Sequence, residues 1–170
     1  MKKDLYIIEA LNVVSWYRQL TPEKLNKLDF KIRWSLKKAV AKLTPDAAEF
    51  EKMRDEEVKQ LQEKWFTSDE KSEITNVPVL DNDGNEVKDE EGIVQTQEVR
   101  KVKEEFMDEY QGEVHELQDK LNEILYGEKN TYEYNSADID TFVQNLEDPS
   151  PLDFSDLELL DALLTDNGEV

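Results

Sequence analysis

Asp81, Asn82, Asp83, Asn85 and Glu86 crowd around Gly84 in the stretch VLDNDGNEV, residues 79–87. Five oxygen-bearing side chains beside one glycine are what a loop for a hard cation would use, because calcium takes about six to eight oxygen ligands and its loop needs one sharp turn. The register excludes an EF-hand. With Gly84 at the sixth loop position, Val79 falls where the first ligand is required; with Asp81 first, Glu86 falls on the glycine position and Gly92 on that of the bidentate acid. A turn fits better: Asp83-Gly84 offers the positive φ of a tight hairpin between the β-branched flanks NVPVL and NEVK, with Ile93 and Val94 placed to extend the ribbon.

Other chemistry is thinly supplied. His115 is the single histidine and cysteine is absent, which removes Ser-His-Asp triads, His-rich or thiolate metal sites, cysteine nucleophiles and disulfides. Glu104, Glu105, Asp108 and Glu109 stand at the i, i+4 spacing of a di-iron bundle. The residue three before His115 is Gly112, however, not the Glu of a Glu-x-x-His motif, so a solvated face is the better reading. No glycine-rich phosphate loop, Walker pattern or dinucleotide fingerprint occurs. Neither an enzyme nor a cofactor is expected. Trp16, Trp65, Phe106 and Tyr110 fall on or near apolar stripes, where packing accounts for them. Trp34 lies off its stripe between Lys31 and Lys38, which makes it the best single candidate for a contact surface.

The elements that would carry these residues follow from length, charge and period. A chain of 170 residues suits one domain plus a tail, and 36% charged residues with five glycines and five prolines favour helices with wide solvated faces. The net charge of −20 is polarised. Residues 1–66 hold 14 Lys and Arg against 11 Asp and Glu; residues 67–126 hold 6 against 18, and residues 127–170 hold 1 against 12. Lys24, Lys27, Lys31, Arg33, Lys37, Lys38 and Lys42 meet only Asp29 between residues 24 and 42. So acidic a surface repels phosphate backbones and disfavours direct binding to nucleic acid except through that basic stretch. No run approaches the roughly 20 apolar residues that span a bilayer, so no membrane partner is expected, and Glu9 and Asn12 interrupt any signal-peptide pattern at the amino terminus.

Residues 5–19 read as a short apolar helix, ambiguous at its β-branched start. Thr21-Pro22-Glu23 is a helix start, after which Leu25, Leu28, Ile32, Leu36, Val40 and Leu43 run at intervals of three or four. Thr44-Pro45 repeats the signal and is expected to kink the long helix, whose stripe resumes through Phe50, Met53, Val58, Leu61 and Trp65. A returning helix is expected from Glu98 to Ile124, with Gly112 marking either a close backbone approach or a weak point. The fold expected is mostly α: a long antiparallel, coiled-coil-like helical hairpin over residues 1–126 with a small β-hairpin tip near 77–88.

Residues 127–170 form an acidic, leucine-rich tail with two short helices expected. One is capped by Ser136 and faces inward through Ile139, Phe142, Val143 and Leu146. The other carries a Ser155/Glu158 capping box and a Phe154/Leu159 staple. Leucines at this density need a surface, so Phe154, Leu157, Leu160 and Leu164 are expected to dock, with Lys31, Trp34 and Lys38 as the complementary patch, in the same chain or a neighbour.

This order of elements, with the D-x-D-G-N turn at residues 81–85 and the acidic helix ending in LQDKLNEIL, resembles a family of short uncharacterised helical-hairpin proteins encoded by tailed bacteriophages. The likeness covers residues 5–126, and the acidic tail departs from it. The resemblance implies a viral origin and an interaction role, with no catalytic residues to carry over. The function expected is a non-enzymatic phage protein working through helix-mediated contacts, as a virion structural or assembly component. It would form oligomers with itself or with other phage proteins, in the host cytoplasm or the virion. The alternative is an inhibitor whose acidic surface imitates DNA toward a host nucleic-acid enzyme or defence system.

Overall fold

The computed structural model describes residues 2–145 and 152–164. Its elements are β1 (Lys2–Tyr6), α1 (Ile7–Gln19), α2 (Pro22–Lys27), α3 (Phe30–Phe66), β2 (Ser72–Pro78), β3 (Thr96–Val102), α4 (Met107–Gly127), β4 (Lys129–Glu133), α5 (Ala137–Gln144) and α6 (Phe154–Asp161). Helix makes up 61% of the structure. Among the described residues there are six α-helices and two small antiparallel sheets, and this overturns the expected single long helical hairpin.

Three local errors lie behind that correction. Val99 and Val102, counted into a helical stripe, belong to strand β3, and α4 begins only at Met107 after a 3-10 turn. Leu28, counted into the long stripe, is extended and ends α2; the Asp29 carboxylate then accepts from Lys31 N and its carbonyl from Arg33 N, starting α3 afresh. Leu5 and Tyr6, placed at the ambiguous start of the first helix, instead end the strand β1, and α1 begins at Ile7. The helix α3, by contrast, runs without interruption through Pro45.

Contacts divide the chain into two compact units, Met1–Arg54 with Lys120–Val170, and Asp55–Asp119. The described residues after 126, 127–145 and 152–164, fall in the first unit.

The first unit holds the large core. Leu36, Ala39, Val40, Leu43 and Ala47 of α3 pack with Ala10, Val13, Val14 and Trp16 of α1, and with Leu5 of β1 and Tyr132 of β4. The strands β1 and β4 pair antiparallel with Leu5 opposite Asn130. Tyr132 donates its hydroxyl to Asp46 Oδ2 at 2.7 Å, tying β4 to α3. The tail closes this core through Ile139, Leu152, Leu160 and Leu163, each contributing about 1.5–3 kcal/mol by burial. Ser136 precedes α5, but its hydroxyl donates to Asp140 and Asn135 Oδ1 accepts from Ala137 N instead. Leu146, expected on the face of α5, lies outside the described residues. The capping box of α6 is Asp153/Asp156 and not Ser155/Glu158, and Phe154, expected as a staple, is 75% exposed.

The second unit is built around Trp65. Its ring meets Tyr110 edge-on at 5.6 Å and Phe106 at 6.5 Å, Lys71 stands 4.3 Å over it, and its Nε1 donates to Glu113 Oε2 at 3.0 Å. From there β2 and β3 run out as a two-stranded ribbon, Ser72 opposite Val102 and Pro78 opposite Thr96. The ribbon does not end in one tight turn at Asp83-Gly84. Its tip is a junction of three hairpin arms joined by a ring of backbone bonds: Val79 N to Gln95 O, Val87 N to Val79 O, and Gln95 N to Val87 O, each 2.8 Å. Two of those arms are copies. In each, an aspartate (Asp81 or Asp89) accepts on Oδ1 from the amides two and four residues ahead, while its carbonyl accepts from a left-handed glycine, Gly84 or Gly92. The sequence repeats in step, VLDNDGNE then VKDEEGIV.

Candidate partner-binding groove

Helices α1, α2 and the start of α3 enclose an open groove of about 520 Å³ in the first unit. The local sequence builds it. Thr21 Oγ1 caps α2 by accepting from Lys24 N at 3.3 Å, Pro22 occupies the first turn, and α2 stops after two turns. The chain then turns at Leu28, which is buried, and Asp29 relaunches it as α3. That reversal sets Pro22, Leu25 and Asn26 of α2 opposite Phe30, Arg33, Trp34 and Lys37 of α3, with Tyr17 of α1 as the third wall.

The groove is aromatic and basic. Phe30 and Trp34, one turn apart, are 69% and 49% exposed and lie nearly parallel, 11° between planes and 6.5 Å between centroids. Lys38 Nζ sits 5.0 Å from the Trp34 ring. Lys31, Lys37 and Lys38 form no ion pair with a carboxylate among the described residues. Arg33 Nε is buried without a hydrogen-bond partner, and its Nη1 reaches only Asn26 Oδ1 at 3.4 Å. The lining of the groove combines aromatic, aliphatic, amide and basic side chains and includes no carboxylate.

Trp34, Lys31 and Lys38, singled out from sequence, thus come together on one surface. The tail residues do not join them as counterpart. Leu160 is fully buried and Leu157 and Leu164 are partly buried against the core of the same chain. Only Phe154 stays in solvent. The contact that locks α6 down is a carboxylate: Asp156 Oδ1 accepts from Trp16 Nε1 at 2.8 Å and its Oδ2 from Lys24 Nζ at 2.8 Å, while Asp153 Oδ2 accepts from Lys24 at 2.9 Å. Burial opposes the charge on Asp156, but Lys24, Trp16 and the Asp153 amide outweigh it and hold the carboxyl below the usual range. Lys24 also lowers Asp153, and both acids raise Lys24.

Phe30, Arg33 and Tyr17 were missed by sequence reasoning. Asp29 was the available signal, since a helix-capping residue type directly before Phe30 moves the register of everything that follows. At the ribbon tip Asp81 Oδ1 accepts from the amides of Asp83 and Asn85, with Asn85 lowering its pKa most. Glu104, Glu105, Asp108 and Glu109 are exposed, and His115 pairs only with Asp119 at 3.6 Å. Among the described residues no three metal-ligating side chains converge, and no helix is long and apolar enough to cross a membrane. Comparison with protein-family models, curated proteins and solved structures finds no match for this chain.

Proposed function

We propose that this chain is a non-enzymatic bacteriophage protein that acts through protein–protein contacts, as a structural or assembly component in the host cytoplasm or the virion. One observation carries the reading. In a chain with 41 acidic and 21 basic residues, a cluster of cations unpaired among the described residues surrounds two exposed, stacked aromatic rings. Aromatic and arginine side chains that a partner can cover and desolvate are the usual anchors of protein interfaces. The tail supports the reading from the other side. Its described leucines pack within the chain, which leaves the groove as the better-formed surface for a partner.

Lysine-reactive crosslinking in cells making the full-length chain, read by mass spectrometry, tests this. Links from Lys31, Lys37 or Lys38 to a second polypeptide, lost in Trp34→Ala, are expected. Links confined to the chain itself, with a monomer by light scattering, would contradict it. A second reading draws on the charge of Asp55–Asp119, 21 acidic residues against 7 basic: inhibition of a nucleic-acid enzyme by imitation of its substrate. Its readout is competition with duplex DNA.

A further inference from the structure

We infer that the groove between α2 and α3 takes an acidic peptide segment of a partner protein, one that presents a bulky apolar side chain beside one or two carboxylates. The inference rests on the contact reading above and names the partner's chemistry. Three features of the groove specify the two halves of such a ligand.

The apolar half is specified by the walls. Pro22, Leu25 and Tyr17 face the Phe30–Trp34 stack across a concavity of about 520 Å³, which is room for a bulky side chain with its neighbours in a short peptide and not for a folded surface. The acidic half is specified by the cations at and beside the rim: Lys37 in the lining, Lys38 over the Trp34 ring, and Lys31 next to Phe30 in sequence. Lys31, Lys37 and Lys38 find no carboxylate within the described chain although acids outnumber bases almost two to one. Lys24 and Lys27, just outside the groove, do find theirs, on Asp153, Asp156 and Glu23. The rim cations are thus left over by the geometry and not by any scarcity of acids.

Arg33 joins the two halves. A guanidinium meets a carboxylate best through two parallel N–H bonds, and here Nε has no acceptor while Nη1 holds only a long bond to Asn26. A small swing of the side chain toward the groove would set both nitrogens against one incoming carboxylate. The same fork would accept a phosphate, but the charge of the chain argues against a polyanion. A nucleic acid tracking beyond the groove meets a molecule of net charge −20, whereas a short peptide brings only the carboxylates that the rim can neutralise.

The test follows the indole N–H resonance of Trp34 in the full-length protein, assigned with Trp34→Phe. Three probes are added: a short acetylated peptide alternating aspartate with phenylalanine and leucine, its lysine-for-aspartate counterpart, and an oligothymidylate. The acidic peptide is expected to shift Trp34 saturably while Trp16 and Trp65 stay in place, with binding weakened by salt and reduced about tenfold in Arg33→Gln. Arg33→Gln that keeps its thermal midpoint but binds as tightly as the parent would overturn the role of the fork. No saturable shift, an equal response to the lysine peptide, or tighter binding of oligothymidylate would overturn the inference. If the acidic peptide fails while crosslinks from Lys31 or Lys38 to another chain persist, only this inference falls; if both are absent, the contact reading falls with it.

Discussion

The two units put the same kind of sequence to different use. In the first, Leu36, Leu43, Ile139, Leu160 and Leu163 are all fully buried, because the helices α1, α3, α5 and α6 and the pair β1–β4 close over one another. In the second, Trp65 and Val102 are the buried hydrophobics among the described residues; α4 buries none, and the ribbon leaves Ile74 and the tip leaves Leu80 and Ile93 in solvent. An apolar stripe at intervals of three and four runs through both. It becomes a dense core only where several layers meet on it, and elsewhere it remains half covered. The buried packing of the first unit is therefore spread over many residues, and that of the second is centred on one aromatic cluster.

Large-to-small substitutions should separate the two most clearly. Trp65→Ala removes the ring that Phe106, Tyr110 and Lys71 pack on, at a cost of about 3–5 kcal/mol. Circular dichroism is expected to show partial helix loss while Trp16 fluorescence remains native. Leu160→Ala, at about 2–5 kcal/mol, should instead shift Trp16 emission and the main thermal transition together. A single shared transition in both variants would deny the difference between the units.

The α6 lock comes next. Asp156→Ala leaves Trp16 Nε1 without its acceptor in a buried site and should cost about 1–3 kcal/mol. The pH dependence has a definite sign. Asp156 and Asp153 are both lowered on folding, so their stabilisation is complete above the ordinary carboxylate range and is lost as pH falls through the lowered values. Lys24 is raised, so its share is complete below the ordinary lysine value and is lost only at strongly alkaline pH. Thermal melts from pH 7 downward should thus fall off below about pH 4, and less so in Asp156→Asn.

Smaller effects fall in the second unit. Gly84→Ala forces a side chain into the left-handed region at φ 85°, costing about 1 kcal/mol locally, which urea melts of the ribbon followed by NMR would show. Gly112 does the opposite. A Cβ there meets nothing within 4 Å, so Gly112→Ala should stabilise α4 by about 0.5–1 kcal/mol. The open space also disposes of the close backbone approach that this glycine had suggested.

Much of the helical content was legible, and the errors share a cause. Period alone cannot tell a strand from a helix over seven residues, and Val99 and Val102 at a spacing of three misled for that reason. Pairing with β2 decides the matter, and pairing is non-local. The repeat of V-x-D-x-(D/E)-G at residues 79–84 and 87–92 was visible throughout but needs the ring of backbone bonds to be understood as two arms of one junction. Trp34, Lys31 and Lys38 could be picked out because an aromatic among cations off a stripe has no packing role. Arg33 could not, since an unpaired guanidinium nitrogen is a property of geometry. The tail was readable as leucines in need of a surface, but not that the surface lies on its own chain.

Native-state hydrogen exchange addresses the contrast between the units most directly. Amides of α1 from Ala10 to Trp16 and of α3 from Leu36 to Leu43 should open only with global unfolding. Those of β2, β3 and α4 up to Asp119 should exchange through a lower-energy opening that Trp65→Ala makes easier still. Equal protection across α1 and α4, unchanged by Trp65→Ala, would contradict the account.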